Sequence, residues 1–169
     1  SVVFYQKQGS HIEERMHACG ARVFYLAEHS APSPTEYAEQ PDAQDTGEWL
    51  ASHVGRGVSQ AYHLVRGHAR YVRHDLPLVR PLVRLIGENQ IDLVHYNNAL
   101  RSAKPAIAAA RRTGIPCISH MRGFNAVRPH DIIFARWVDL FIYISGAVSE
   151  YYQRQGLSSS GVVVHNVVD

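Results

Sequence analysis

The sequence predicts an α/β fold: an open parallel sheet with helices on both faces. Three observations carry that prediction. From Ile91 onward, short and continuously apolar runs alternate with helical patterns, the signature of parallel strands covered on both faces. Each of those runs stops at polar residues. The chain's 169 residues, 46% apolar and 19% charged, suit one soluble domain, 1–169, with a single core. A domain of this size buries roughly 70% of the surface its unfolded chain exposes.

The elements follow in order. Val2 to Tyr5 combines β-branched and aromatic residues and predicts a buried strand. Ser10-His-Ile-Glu13 has the spacing of a capping box, so a short helix starts there. It ends near Cys19-Gly20, where glycine can take the left-handed cap. Arg22 to Leu26 is a second strand, and a right-handed β–α–β unit is the default. Residues 30–47, with three prolines, two glutamates and two aspartates, predict a surface loop. A long helix runs from about Thr46, with Trp49, Leu50, Val54, Val58, Ala61, Tyr62, Val65 and Ala69 at three- and four-residue spacing. Gly55, Gly57 and Gly67 weaken it by about 1 kcal/mol each relative to Ala, and allow a neighbouring element to come close. Pro77, after Asp75-Leu76, predicts a fresh helix start running to Ile86-Gly87. The second half is regular. Strands are expected at Ile91–Tyr96, Ile115–His120, Leu140–Ile144 and Val162–His165. Helices are expected at Ala99–Arg112 (closed by Gly114), Arg128–Trp137, and from a Ser145 cap to Gln155-Gly156.

Composition excludes several classes. Two cysteines, Cys19 and Cys117, make neither a disulfide framework nor a thiol-rich metal site. No apolar run is long enough to span a bilayer, and the opening Ser-Val-Val-Phe-Tyr lacks the pattern of a signal peptide. There is no G-x-x-x-x-G-K-[ST], no G-x-G-x-x-G after a strand and no G-x-S-x-G elbow. Histidine pairs such as His63 and His68 miss the i, i+4 spacing of helix-borne metal ligands, so no metal site is expected. The net charge of +2 gives no reason to expect nucleic acid. Its distribution is uneven. Fifteen of the seventeen basic residues are arginine, and between Trp49 and Ile86 lie Arg56, Arg66, Arg70, Arg73, Arg80 and Arg84 against one acid, Asp75. Guanidinium forks favour phosphate and carboxylate partners; the alternative is a solvated helix face.

Ligands of open parallel sheets bind at the carboxyl ends of the strands. There the sequence places His95, Asn97 and Asn98 after one strand and His120, Arg122 and Gly123 after the next. Ser145 and Asn166 follow the last two. Arg122 offers five fixed donors to an anion, or pairs with Asp131 or Asp139. Gly123 allows a sharp turn or a close ligand. His120 titrates near neutrality and suits a general base, or is a hydrogen-bonded strand-end residue. Ser145 opens a helix whose N–H groups can hold a phosphate, or is a plain cap.

Four blocks in order resemble the N-terminal domain of the GT-B glycosyltransferases, specifically the family-4-like group of retaining enzymes. IDLVHYNN (91–98) is similar to the family's Asp-hydrophobic-His strand. ALRSAKPAIAAARRTGIPCISHMRG (99–123) is similar to its helix, G-x-P turn and strand leading to Arg-Gly. VDLFIYISGAVSEYYQRQG (138–156) is similar to its strand, Ser, helix and Gly block. VVVHNVVD (162–169) is similar to its closing segment, with Val167 where the family usually has Gly. The resemblance implies a Rossmann-like half of a two-domain enzyme, without the first strand with its glycine-rich loop and without the C-terminal nucleotide-sugar domain. It implies hexosyl transfer from a nucleotide sugar, a co-substrate rather than a cofactor, to a glycan, lipid-linked or small-molecule acceptor. His120 and Arg122 would be catalytic, and His95, Asn97, Asn98, Gly123, Ser145 and Asn166 would bind substrate. This half alone would be inactive. The enzyme would be cytoplasmic, and the six arginines would dock it peripherally on an anionic membrane. The competing readings are a non-catalytic Rossmann-like binding module and half of a sugar-nucleotide 2-epimerase.

Overall fold

The computed structural model describes residues 2–4, 11–25, 52, 55–97, 100–157 and 161–165. The chain divides into two compact units, Ser1–Asp45 and Thr46–Asp169. In the first, β1 (Val2–Phe4), α1 (His11–Ala18) and β2 (Val23–Tyr25) form the expected β–α–β unit. Its strands are parallel, with Val2 opposite Val23 and Phe4 opposite Tyr25. Gly20 ends α1 with φ 75°, the left-handed cap that only glycine adopts without strain. The Ser10 cap, the 30–47 loop and the start of the long helix near Thr46 lie outside the described residues.

The second unit begins with a continuous helical run: α2 (Arg56–Arg70), a π turn over Tyr71–Asp75, and α3 (Leu76–Glu88). There follow β3 (Val94–Tyr96), α4 (Leu100–Thr113), β4 (Cys117–Met121), α5 (Pro129–Ala135), β5 (Leu140–Tyr143), α6 (Gly146–Arg154) and β6 (Gly161–Val163). The four strands form one sheet in the order β3-β4-β5-β6, every pair parallel. This is a Rossmann-like arrangement.

Two elements differ from the sequence reading. Pro77 does not begin a separate helix. The Leu76 N–H donates to the Tyr71 carbonyl, five residues back, so the backbone passes through one widened turn without a break. A proline ring collides with the carbonyl four residues earlier in a regular helix; the wider turn moves that carbonyl aside, as π bulges do. The run Ile91–Tyr96 pairs only from Val94. Its partner strand begins at Cys117, the Val94 N–H donates to the Pro116 carbonyl, and the Ile91 N–H turns back to the Ile86 carbonyl.

The core lies between the sheet and α4–α6. Cys117, Ser119, Met121, Phe141 and Tyr143 are buried on one sheet face, whereas Ile118, His120, Leu140 and Ile142, which alternate with them, are half-buried. Consecutive strand order with crossovers of the usual hand puts α4, α5 and α6 on one face, and burial marks it as the face bearing Phe141 and Tyr143. Alanines at 103, 108, 109 and 110 let α4 approach closely, with Ile107 fully buried. Outside this layer α3 packs on α4 and α2 on α5. Gly67 makes the second contact possible: a Cβ there would stand 2.6 Å from the His130 Cβ. Gly57 has no such neighbour within 4 Å, and Gly55 lies before α2 as its N-cap with φ 109° rather than inside the helix.

A buried charged cluster ties these helices together. Lys104 on α4 and Asp131 on α5 form an ion pair at 2.6 Å, with side chains 5% and 2% exposed. The other Asp131 oxygen accepts from the Arg128 N–H at 2.9 Å, capping α5. Lys104 also lies 5.9 Å from the Phe134 ring centroid. Asp75, at the end of the π turn, and His130 are buried beside the pair. Burial pushes the Asp75 carboxyl up to about 6, against the opposing pull of Lys104, Arg70 and Arg101; Asp131 adds to the rise. Burial and then Lys104 push the His130 imidazole down to about 4, against Asp131, with His68 lowering it further.

These two shifts act on stability in opposite directions. A carboxyl whose folded value exceeds its unfolded one favours folding at low pH, and that contribution is lost as pH rises through about 6. A buried neutral histidine favours folding above its unfolded value of 6.5, and that contribution is lost as pH falls toward about 4. Asp75→Asn is therefore expected to be more stable than wild type at pH 8 by about 1–3 kcal/mol and to lose that advantage near pH 4. His130→Asn is expected to lose less stability than wild type on acidification over the same range. Urea unfolding at stepped pH checks both, and two curves parallel to wild type would contradict the assignment.

Candidate functional site

The site is built by strand register. Val94, His95 and Tyr96 lie opposite Cys117, Ile118 and Ser119. His120 and Met121 lie opposite Ile142 and Tyr143, and Ile142 and Tyr143 opposite Val162 and Val163. The ladder extends slightly further, with the Ile144 N–H donating to the Met121 carbonyl and the Val164 N–H to the Tyr143 carbonyl. All four strands run the same way, so their carboxyl ends share one edge. Asn97, Arg122, Gly123, Ser145 and His165 follow the strands there.

His95 and His120 come together. Because His95 is opposite Ile118, it shares a sheet face with Ile118 and His120. The two rings stack, centroids 5.9 Å apart and planes inclined by 24°. The His120 Nε2 is buried with no hydrogen-bond partner among the described residues. Its pKa is pushed below the ordinary value, first by burial and then by the charges of His95 and Arg122. The imidazole is therefore neutral at physiological pH, with one ring nitrogen able to accept a hydrogen bond.

Arg122 is exposed, and neither candidate acid takes it. Asp131 holds Lys104, and an Asp139 oxygen accepts from the Cys117 N–H at 2.8 Å. Gly123 has no left-handed φ, and a Cβ there would meet no protein atom within 4 Å. Neither backbone strain nor packing demands glycine at this position. Ser145 is a helix cap: its hydroxyl accepts from the Val148 N–H at 3.3 Å, which fixes the start of α6. Asn97 is exposed beyond β3. Asn98 and Asn166 lie outside the described residues.

The sequence reading missed what holds the loop after β4 in place. Tyr152, buried on α6, donates its hydroxyl to the Gly123 carbonyl at 2.8 Å. The same oxygen accepts from the Asn125 backbone N–H at 3.1 Å and from the Asn125 amide at 3.3 Å. One turn later the Gln155 side-chain oxygen accepts from the Val127 N–H at 2.7 Å. Residues 123–127 are thus hydrogen-bonded to the last turns of α6, and Asp131 secures Arg128. The available signal was the spacing of Tyr152 and Gln155, three apart on one helix face.

The arginine-rich run is less uniform than its sequence. Arg73, Arg80 and Arg84 are exposed, while Arg66 and Arg70 are half-buried. Arg66 donates to the Tyr62 hydroxyl at 3.0 Å. The Arg56 side chain lies outside the description. Among the described residues no helix is long and apolar enough to cross a membrane, and both cysteines are free thiols.

Residues 11–169 match the family model of Glycosyltransferase Family 4. No curated protein matches the chain.

Proposed function

Since the chain belongs to Glycosyltransferase Family 4, we propose that it is the acceptor-side half of a retaining, hexosyltransferase-type enzyme. The reaction moves a sugar from a nucleotide-sugar donor to a glycan, lipid-linked or small-molecule acceptor. A second domain outside this sequence holds most of the donor, and residues 1–169 alone do not turn over. The observation that carries this reading is the neutral His120 with its buried, unpartnered Nε2 beside exposed Arg122. The His130 Nδ1 is also buried without a partner, inside the helix layer; the His120 nitrogen differs in lying at the strand ends, where ligands of parallel sheets bind. His120 accepts a substrate hydroxyl's hydrogen bond, and Arg122 faces anionic oxygen as charge develops on it. His95 and Asn97 border the same edge, with Gly123 leaving room for the sugar. Ser145 orients the α6 N–H groups, and Asn98 and Asn166 are proposed as further substrate-binding residues.

The test uses the complete gene product and a panel of nucleotide sugars, assayed for hydrolysis and transfer. Arg122→Ala and His120→Ala are expected to lower kcat/KM by about 10- to 100-fold with an unchanged unfolding midpoint. Wild-type turnover in either variant removes that residue from the site. No turnover with any donor leaves the binding-module reading.

The acceptor is met, in this proposal, at the cytoplasmic face of an anionic membrane. Support comes from one helical run that exposes Val58, Leu64, Val65 and Val72 together with Arg73 and, on α3, Arg80 and Arg84. Each basic residue near acidic lipid is worth about 1 kcal/mol, and added salt screens it. Phosphatidylglycerol vesicles are expected to retain the protein in low salt and release it in high salt. Reversal of Arg73, Arg80 and Arg84 to Glu is expected to abolish retention. Vesicles that fail to hold the wild-type protein in low salt defeat the docking surface.

A further inference from the structure

Phe124 is the one large aromatic side chain that the loop after β4 turns outward: it is 62% exposed. The loop around it is not slack. The Tyr152 hydroxyl bonds the Gly123 carbonyl at 2.8 Å and the Asn125 N–H at 3.1 Å, so the peptide groups on either side of Phe124 are held by one buried oxygen. The ring itself meets Tyr151 nearly at right angles, centroids 5.1 Å apart. A chain that only needed to turn here would gain nothing from holding an apolar ring in water. A ring kept exposed on a fixed backbone is a preformed contact surface.

The surroundings decide what it contacts. Arg122 and Asn125, close to Phe124 in the chain, are both exposed; the Asn125 amide N–H is engaged by the Tyr152 hydroxyl, which leaves the Arg122 guanidinium as the polar donor on offer. No second large apolar side chain is exposed between Arg122 and Arg128. A lipid chain or an apolar protein face would need a contiguous patch. A single aromatic face accompanied by a hydrogen-bond donor instead matches a pyranose, whose ring C–H groups are apolar and electron-poor while its hydroxyls are polar. The electron-rich face of an aromatic ring attracts such C–H groups. We propose that Phe124 is a stacking platform for a pyranose ring of the acceptor. The role of that sugar as acceptor rests on the glycosyltransferase reading, but the binding itself does not.

The test separates the two. Saturation-transfer NMR of the complete gene product with a panel of methyl pyranosides reads sugar binding without any donor. Wild type is expected to bind at least one of them through ring C–H protons. Phe124→Ala is expected to weaken that binding about tenfold, and Phe124→Trp to restore it. The clamp bonds backbone atoms at 123 and 125 and the Asn125 amide, none of them on the Phe124 side chain, so both variants keep the fold, which an unchanged unfolding midpoint verifies. A wild-type protein that binds no methyl pyranoside overturns the proposal, as does wild-type affinity in Phe124→Ala. If binding is lost in Phe124→Ala while no nucleotide sugar is ever turned over, the platform stands and the enzymatic reading falls. If transfer proceeds and Phe124→Ala keeps the wild-type KM for the pyranoside, the platform falls and the enzyme stands.

Discussion

The buried ion pair between Lys104 and Asp131 is the constraint from which the rest of the second unit takes its geometry. Removing two charges from water costs several kcal/mol per ion, and only close pairing with further hydrogen bonds offsets it. Here the distance is 2.6 Å, and the carboxylate's second oxygen caps the helix that it starts. The pair joins α4, which follows β3, to α5, which follows β4. It therefore fixes the two crossover helices relative to each other at the edge where the strands end. Tyr152 and Gln155 extend the same tie from α6 to the loop between β4 and α5. Three successive helices thus converge on one seven-residue stretch, 122–128.

That convergence explains how the backbone at the end of β4 holds one arrangement. His120 has a buried nitrogen without a partner, and among the described residues Arg122 forms no ion pair. Such groups persist in one arrangement only when the surrounding backbone is fixed by other interactions. The acids that could have neutralised Arg122 are engaged elsewhere, Asp131 by Lys104 and Asp139 by the Cys117 N–H. The pH behaviour of Asp75 and His130 belongs to the helix layer that supports the strand ends, whereas His120 lies at those ends.

Much of this was legible in the sequence, and the parts that were not have physical reasons. β4 and β5 showed as apolar runs because alternate residues are buried under α4–α6 and the rest are half-buried; β6, exposed throughout, showed through its β-branched valines. The Ser145 cap was readable because its chemistry is local. The π turn was not, since Asp75-Leu76-Pro77 carries the same signal whether a helix stops or only widens. Lys104, in an alanine-rich helix, carries by its residue type no local signal that it is buried. Its phase with Ala103, Ile107 and Ala108 places it on the buried face, but the partner 27 positions away, Asp131, is a tertiary fact. Tyr152 was hidden for a similar reason: in EYYQRQG an aromatic reads as core, and burial is compatible with a hydroxyl that bonds a distant loop. The likeness to the glycosyltransferase half was legible because it rests on the order of whole blocks rather than on any one residue.

The most direct measurement of the central constraint is a double-mutant cycle on unfolding free energy with Lys104→Met and Asp131→Leu. Each single change strands a buried charge and is expected to cost about 3–5 kcal/mol. The double change removes both charges and leaves mainly the lost cap, about 1 kcal/mol. The two single costs should then exceed the double cost by several kcal/mol. Additive losses, with a double variant as unstable as the sum of the two singles, would show that the pair does not bind α4 to α5 and would contradict the account.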